Sequence, residues 1–203
     1  MISSIEMFSK YKEVFVPSYA IFPEKKNDTY CITLLETDPQ AVLKEITVTG
    51  VPVNSMLLDL GKLSELKIDN KLNRFINDDK GVFQCCDFLL ISDLNGKLHL
   101  IFIELKSGIF NRSNVVRQFK GAACFTGYIN SILNHFYDFS VPKSADIHFT
   151  YALFSNKNTN KKSTEKTNKY RKSLSPDEYI HKKFGKSSKV STPFSWFLYA
   201  INK

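Results

Sequence analysis

Asp87, Glu104 and Lys106 are the residues hardest to explain as packing. They interrupt two otherwise apolar runs, Cys86-Asp87-Phe88-Leu89-Leu90-Ile91 and Ile101-Phe102-Ile103-Glu104-Leu105-Lys106. An isolated buried carboxylate is costly, and two neighbouring ones repel unless a cation intervenes. A divalent ion removes the conflict, because Mg²⁺ accepts a few carboxylate oxygens together with several waters. Lys106 could also serve as a plain neutralising partner for Glu104 at the end of a sheet.

Whether these side chains meet depends on the elements that carry them. Asn95-Gly96 lies between the two runs, and Asn-Gly between hydrophobic segments is the strongest short hairpin signal. A two-residue turn there sets Leu94 against Lys97 and, seven pairs further, Asp87 against Glu104. Directly opposed residues share a face with Cβ atoms about 4.5–5.5 Å apart. Lys106 projects from that face as well. A turn one residue longer would send Asp87 to the other side.

Around the hairpin, a helical pattern is predicted over 57–76, with Glu65, Ile68, Leu72 and Ile76 on one stripe and Gly61 as a break. A long helix is predicted over 113–136, burying Val115, Phe119, Ala122, Ile129, Leu133 and Phe136. Gly121, Ala122, Ala123 and Gly127 would let it approach a sheet closely. An interior strand is predicted at 147–154. Residues 1–53 read as short strands, at 30–35 and 46–51, with a brief helix at 41–45. Ser175-Pro176-Asp177-Glu178 has the cap, proline and acids of a helix start, and 194–201 predicts a strand or short helix.

An Asp on one strand, a hairpin, then hydrophobic-Glu-x-Lys followed by a helix resembles the PD-(D/E)xK nuclease superfamily, the restriction-endonuclease-like fold. The resemblance covers about residues 60–155, and Cys86 stands where a proline is usual. It implies an α/β fold with an αβββαβ core and a central mixed sheet flanked by helices. The expected organisation is a single domain over 1–203, with a strand-rich extension at 1–55 and the core at 56–155. A basic segment follows at 156–190 and a C-terminal strand at 191–203. The resemblance further implies that Asp87, Glu104 and the Leu105 carbonyl hold Mg²⁺ (or Mn²⁺) and that Lys106 orients the attacking oxygen. Glu65 and Gln118 match positions that some members use, whereas Ala122 replaces the tyrosine of the RecB-like variant. The implied activity is metal-dependent hydrolysis of DNA phosphodiester bonds.

The charge is consistent with such a substrate. The 203 residues carry a formal +8, and all of that excess lies between Asn156 and Val190, where eleven Lys/Arg face three acids. A neutral body with one basic segment suits a polyanion, although charge runs are often simply solvated. Candidate phosphate contacts are Lys120, Lys161, Lys162, Lys169, Arg171, Lys172, Lys182 and Lys183. No DNA-reading motif is recognisable, so targeting is expected from a homodimer or a partner subunit such as an ATPase, in restriction or antiphage defence. The alternatives are a catalytically inactive nucleic-acid-binding or scaffold subunit, and an RNA-directed nuclease.

A 43% hydrophobic, 24% charged composition excludes collagen-like, coiled-coil and wholly disordered chains. No apolar run reaches the roughly 18 residues of a membrane helix. Glu6, Lys10 and Lys12 do not suit a signal peptide. Cys31, Cys85, Cys86 and Cys124 have no C-x-x-C spacing, and adjacent strand cysteines point to opposite faces, so a reducing cytoplasm is expected. His99, His135, His148 and His181 form no metal-binding motif and read as structural or surface residues.

Overall fold

Ser3 opens the first helix of the chain, α1 (Ser4–Val14), by accepting the Glu6 backbone N–H on its hydroxyl. This Ser-x-x-Glu start is a capping signal, and it places a helix ahead of the strands expected in residues 1–53. Met7, Phe8 and Tyr11 then form a buried face at helical spacing. The structure, a computed structural model, describes residues 3–65, 84–141, 147–156 and 175–198, with backbone alone at 63–65.

After a 3-10 turn, the chain forms β1 (Ala20–Ile21), β2 (Glu24–Lys26), β3 (Thr29–Leu35), β4 (Glu45–Thr49) and β5 (Ser55–Asp59). The predicted helix at 41–45 is absent. There the backbone N–H groups of Lys44 and Glu45 bond across to the Ser188 carbonyl, and Lys44 O accepts from Glu36. The helix predicted from 57 also begins later, because 55–59 is a strand paired with 88–92. Only α2 (Leu60–Glu65) follows it, and Ile68, Leu72 and Ile76 lie outside the described residues.

β6 (Phe88–Leu94) and β7 (Lys97–Lys106) form the predicted hairpin. Asn95 and Gly96 have φ of 52° and 75°, the positive pair that a two-residue turn of this hand requires. α3 (Arg112–Phe136) follows, capped by the Asn111 side chain, and then β8 (Ile147–Ser155). Val115, Phe119, Ala122, Ile129 and Leu133 are buried as predicted, but Phe136 is 81% exposed, because the helix runs past its last core contact at Leu133. Ser175–Glu178 is a turn rather than a helix start, leading into β9 (Ile180–Lys183), whose N–H groups are committed to β8. The C-terminal strand falls earlier than predicted, as β10 (Lys189–Pro193), and Phe194 leads into a one-turn helix, α4 (Ser195–Leu198).

The strands make two mixed sheets. The larger runs β1-β5-β6-β7-β8-β9, antiparallel as far as β7 and parallel from β7 to β9; the smaller runs β10-β4-β3-β2. One face of the larger sheet packs on α1 and α3 through Leu89, Ile91, Leu100, Phe102, Tyr151 and Leu153. The other face packs on the smaller sheet through Leu90, Ile101, Ile103, Ala152 and Phe154, meeting Ile32, Leu34, Ile46 and Val48. The larger sheet is buried on both sides, which is why its strands read as unbroken apolar runs. Residues 1–55 are thus structural layers rather than an appendage. No helix among the described residues is long and apolar enough to cross a membrane.

Candidate functional site

The β6–β7 ladder pairs Phe88 with Ile103, which is the predicted register, and it ends there, one residue short of Asp87 and Glu104. Strand alternation does the rest. Leu98, Leu100 and Phe102 point to the helices, so Glu104 and Lys106 continue that face.

Asp87 sits just before β6 and ties three elements together. Its Oδ2 accepts the Leu105 backbone N–H at 2.6 Å. Its carbonyl oxygen accepts from Leu60 and Gly61 at the start of α2 (2.8 and 3.3 Å). Burial pushes its carboxyl up to about 6; the Leu105 N–H and Lys106 work against this rise, and Glu36 and Asp59 add to it.

Glu104 is fully buried. Its carboxylate pairs with the Lys106 ammonium and is drawn on as well by the Asp87 backbone N–H. Burial, then the Asp87 charge, push Glu104 up to about 8 against the pull of Lys106. The Lys106 side chain is 28% exposed, so the set reaches solvent there and through half-buried Asp87. Asp87 lines a cleft of about 140 Å³ with Leu35, Glu36, Thr37, Asp59, Gly61, Lys62 and Phe88; Glu104 and Lys106 do not line it.

Asp59 and Glu36 were not singled out by sequence. Asp59 caps α2 by accepting the Lys62 N–H at 2.9 Å. A readable trace of it existed, since an Asp directly after an apolar run is a common helix cap. Nothing local marks Glu36, which only the apposition of the two sheets brings near Asp87.

The remaining candidates divide. Gln118 lies between Val115 and Ala122 on the sheet side of α3, its Oε1 buried without a hydrogen-bond partner among the described residues. Glu65 ends α2. Lys120 pairs with Asp177 at 3.4 Å. Lys182 is half-buried: its ammonium bonds Thr192 Oγ1 at 2.7 Å and lies over the Trp196 and Phe184 rings. Lys183 is exposed. Lys161, Lys162, Lys169, Arg171 and Lys172 lie outside the described residues. Asn156, from which the basic segment departs, donates its N–H to Lys106 O at 3.4 Å.

All four cysteines are free thiols. Cys85 and Cys86 precede β6 instead of alternating within it. His99 and His148 stack with ring centres 5.2 Å apart at the opposite end of β7 and β8. Burial lowers His99 to about 4.

No cluster of three or more His, Cys, Asp or Glu side chains suited to a metal occurs among the described residues. The donor set that does occur is two neighbouring carboxylates, Asp87 and the fully buried Glu104. Such hard oxygen donors match an ion that keeps most of its own waters. The chain matches no family model, no curated protein and no solved structure in these comparisons.

Proposed function

We propose that this protein is a metal-dependent nuclease of restriction-endonuclease-like type, hydrolysing DNA phosphodiester bonds. The observation that supports the reading is the meeting of Asp87, buried Glu104 and Lys106 at the end of the β6–β7 hairpin, close enough that the Asp87 charge raises Glu104 while Lys106 pairs with it. The element order supports it too: α1, then the antiparallel run β5, β6 and β7, then α3 and the parallel strand β8 follow the αβββαβ sequence of that core, with β1–β4 inserted after α1.

Asp87 and Glu104 would hold Mg²⁺ or Mn²⁺, with the Leu105 carbonyl as a further donor. That ion would acidify water and offset the charge developing on the phosphate. Lys106, freed from Glu104 once the carboxylate has another partner, would donate to the phosphate oxygens and orient the attacking water. Gln118 would contact water or nucleic-acid backbone, and the basic segment leaving Asn156 would add contacts blind to sequence. Targeting would come from a second copy or a partner subunit such as an ATPase.

One observation favours a second reading, a nucleic-acid-binding subunit without catalysis: Glu104 is wholly buried and already paired with Lys106. Incubation with supercoiled plasmid separates the two. Nicking that requires Mg²⁺ or Mn²⁺, stops with EDTA and is lost in Lys106→Ala supports the nuclease. Absence of nicking under either metal overturns it.

A further inference from the structure

We propose that Ile109 inserts as a wedge between two stacked bases of the bound nucleic acid, beside the phosphate held at the site. The inference rests on the nuclease reading and adds a positioning residue to it.

Ile109 is 92% exposed, more than any other large apolar side chain among the described residues. It sits on the short loop 107–111 between β7 and α3. Three residues separate it from Lys106, so the two Cα atoms lie within roughly 11 Å of each other. β5, β7 and β8 end at this edge of the larger sheet and β6 begins there, as the pairings Asp59–Phe88, Phe88–Ile103 and Lys106–Ser155 require. Ile109 therefore shares one end of the sheet with Asp87, Glu104 and Lys106.

The loop is tied down on both sides of Ile109. Ser107 Oγ accepts the Val42 and Leu43 N–H groups at 3.2 and 3.4 Å. Gly108, at a φ of 93°, donates its N–H to Asn156 Oδ1 at 3.2 Å. Phe110 packs against the core beneath α3, and the Asn111 side chain caps that helix. A single apolar side chain is thus held out into water by neighbours that are bonded inward.

Its width points to the occupant. Ser107 and Gly108 on one side and Asn111 beyond Phe110 give the tip no continuous apolar patch. A stable protein interface needs such a patch. The gap between two unstacked base pairs takes one branched aliphatic side chain, and Ile is among the residues that fill it. A loop pinned before binding loses little entropy on insertion.

The test uses full-length protein and a duplex oligonucleotide in which the wild-type cut has been mapped in Mg²⁺. 2-Aminopurine, which brightens when unstacked, replaces one base at a time around the cut, and binding is read in Ca²⁺. Wild type should brighten one position beside the cut severalfold. Ile109→Ser should leave that position as dim as free duplex and bind about tenfold more weakly, while Ile109→Leu restores both. The melting temperature of Ile109→Ser should match wild type, since so exposed a side chain supports little of the fold. If no position brightens, or Ile109→Ser brightens it equally, the wedge is refuted and the nuclease reading stands. If Ile109→Ser binds and cuts as wild type does but loses self-association in sedimentation, the residue belongs to a protein interface and the wedge is likewise refuted. If wild type neither binds the duplex nor nicks plasmid, the nuclease reading falls and the wedge with it.

Discussion

The carboxylate of Asp87 accepts the backbone N–H of Leu105 at 2.6 Å, one step beyond the last pair of the β6–β7 ladder. Its side chain thus takes over an N–H next to Glu104, locking the facing acids at a fixed separation. One group fastens the strand end and holds charge beside a buried carboxylate, and substitutions can separate these two roles.

Asp87→Asn keeps an oxygen acceptor while removing the charge, whereas Asp87→Ala leaves the Leu105 N–H unpaired. Metal-free Asp87→Asn should melt at or above wild type. Asp87→Ala should lose about 1–3 kcal/mol, the cost of an unsatisfied buried group. Both should lose cleavage. Calorimetry in EDTA checks the first pair of outcomes, and equal melting of the two variants would contradict the structural role.

Lys106→Ala should cut the cleavage rate by about a hundredfold or more, the usual loss for one charge-stabilising donor. Its melting temperature should change little below pH 8, since Glu104 already holds a proton there and leaves no bare charge when the ammonium is removed. Single-turnover rates beside thermal melts test this, and an inactive but unfolded variant would not count in its favour.

Stability without metal should fall as pH rises. Glu104 at about 8 and Asp87 at about 6 hold protons that the unfolded chain has already released, so the folded state binds more protons across that window and loses stability through it. His99, lowered to about 4, works in the opposite sense, but only below its ordinary value of 6.5. Above pH 6.5 the His99 contribution no longer changes, while Glu104 continues to titrate up to about 8. Melting temperature should drop there, Glu104→Gln should flatten the drop, and Mg²⁺ should reverse it in wild type. A flat wild-type profile would refute the assignment.

Replacing Lys161, Lys162, Lys169, Arg171 and Lys172 by glutamine should weaken duplex binding and flatten its salt dependence, by about 0.9 in the log–log slope for each phosphate contact removed. Titrations at several KCl concentrations measure it. An unchanged slope would mean that the segment is only solvated charge.

Gly96→Ala isolates the turn. The φ of 75° strains any side chain, while no atom lies within 4 Å of the added Cβ, so the cost is conformational alone. It should be about 1–2 kcal/mol, a few degrees of melting temperature, with the register and cleavage retained.

The hairpin and its register were readable from the chain because both are local. Asn95-Gly96 dictates the turn, and alternation then carries the pairing out to Asp87 and Glu104. The stripe of α3 and the interior strand β8 follow from periodicity in the same way. Local rules also misled. Leu57 and Leu58 suit a helix or a strand equally, and only pairing with β6 decides for the strand. The cap at Ser175 starts nothing, because β8 offers the following residues a ladder.

Contacts between distant segments leave no periodic trace, and the tertiary structure alone supplies them. β10 joins β4 in parallel across some 140 residues, making the second sheet whose approach sets Glu36 beside Asp87. His181 reaches Ser155 only because β9 adds to the sheet edge. The chain by itself determined which three ionisable groups gather at the end of the hairpin, since a short turn and its register suffice for that. Which groups surround them, how deeply Glu104 is buried and where the site opens were decided by the packing of layers, because burial depends on what arrives from elsewhere in the chain.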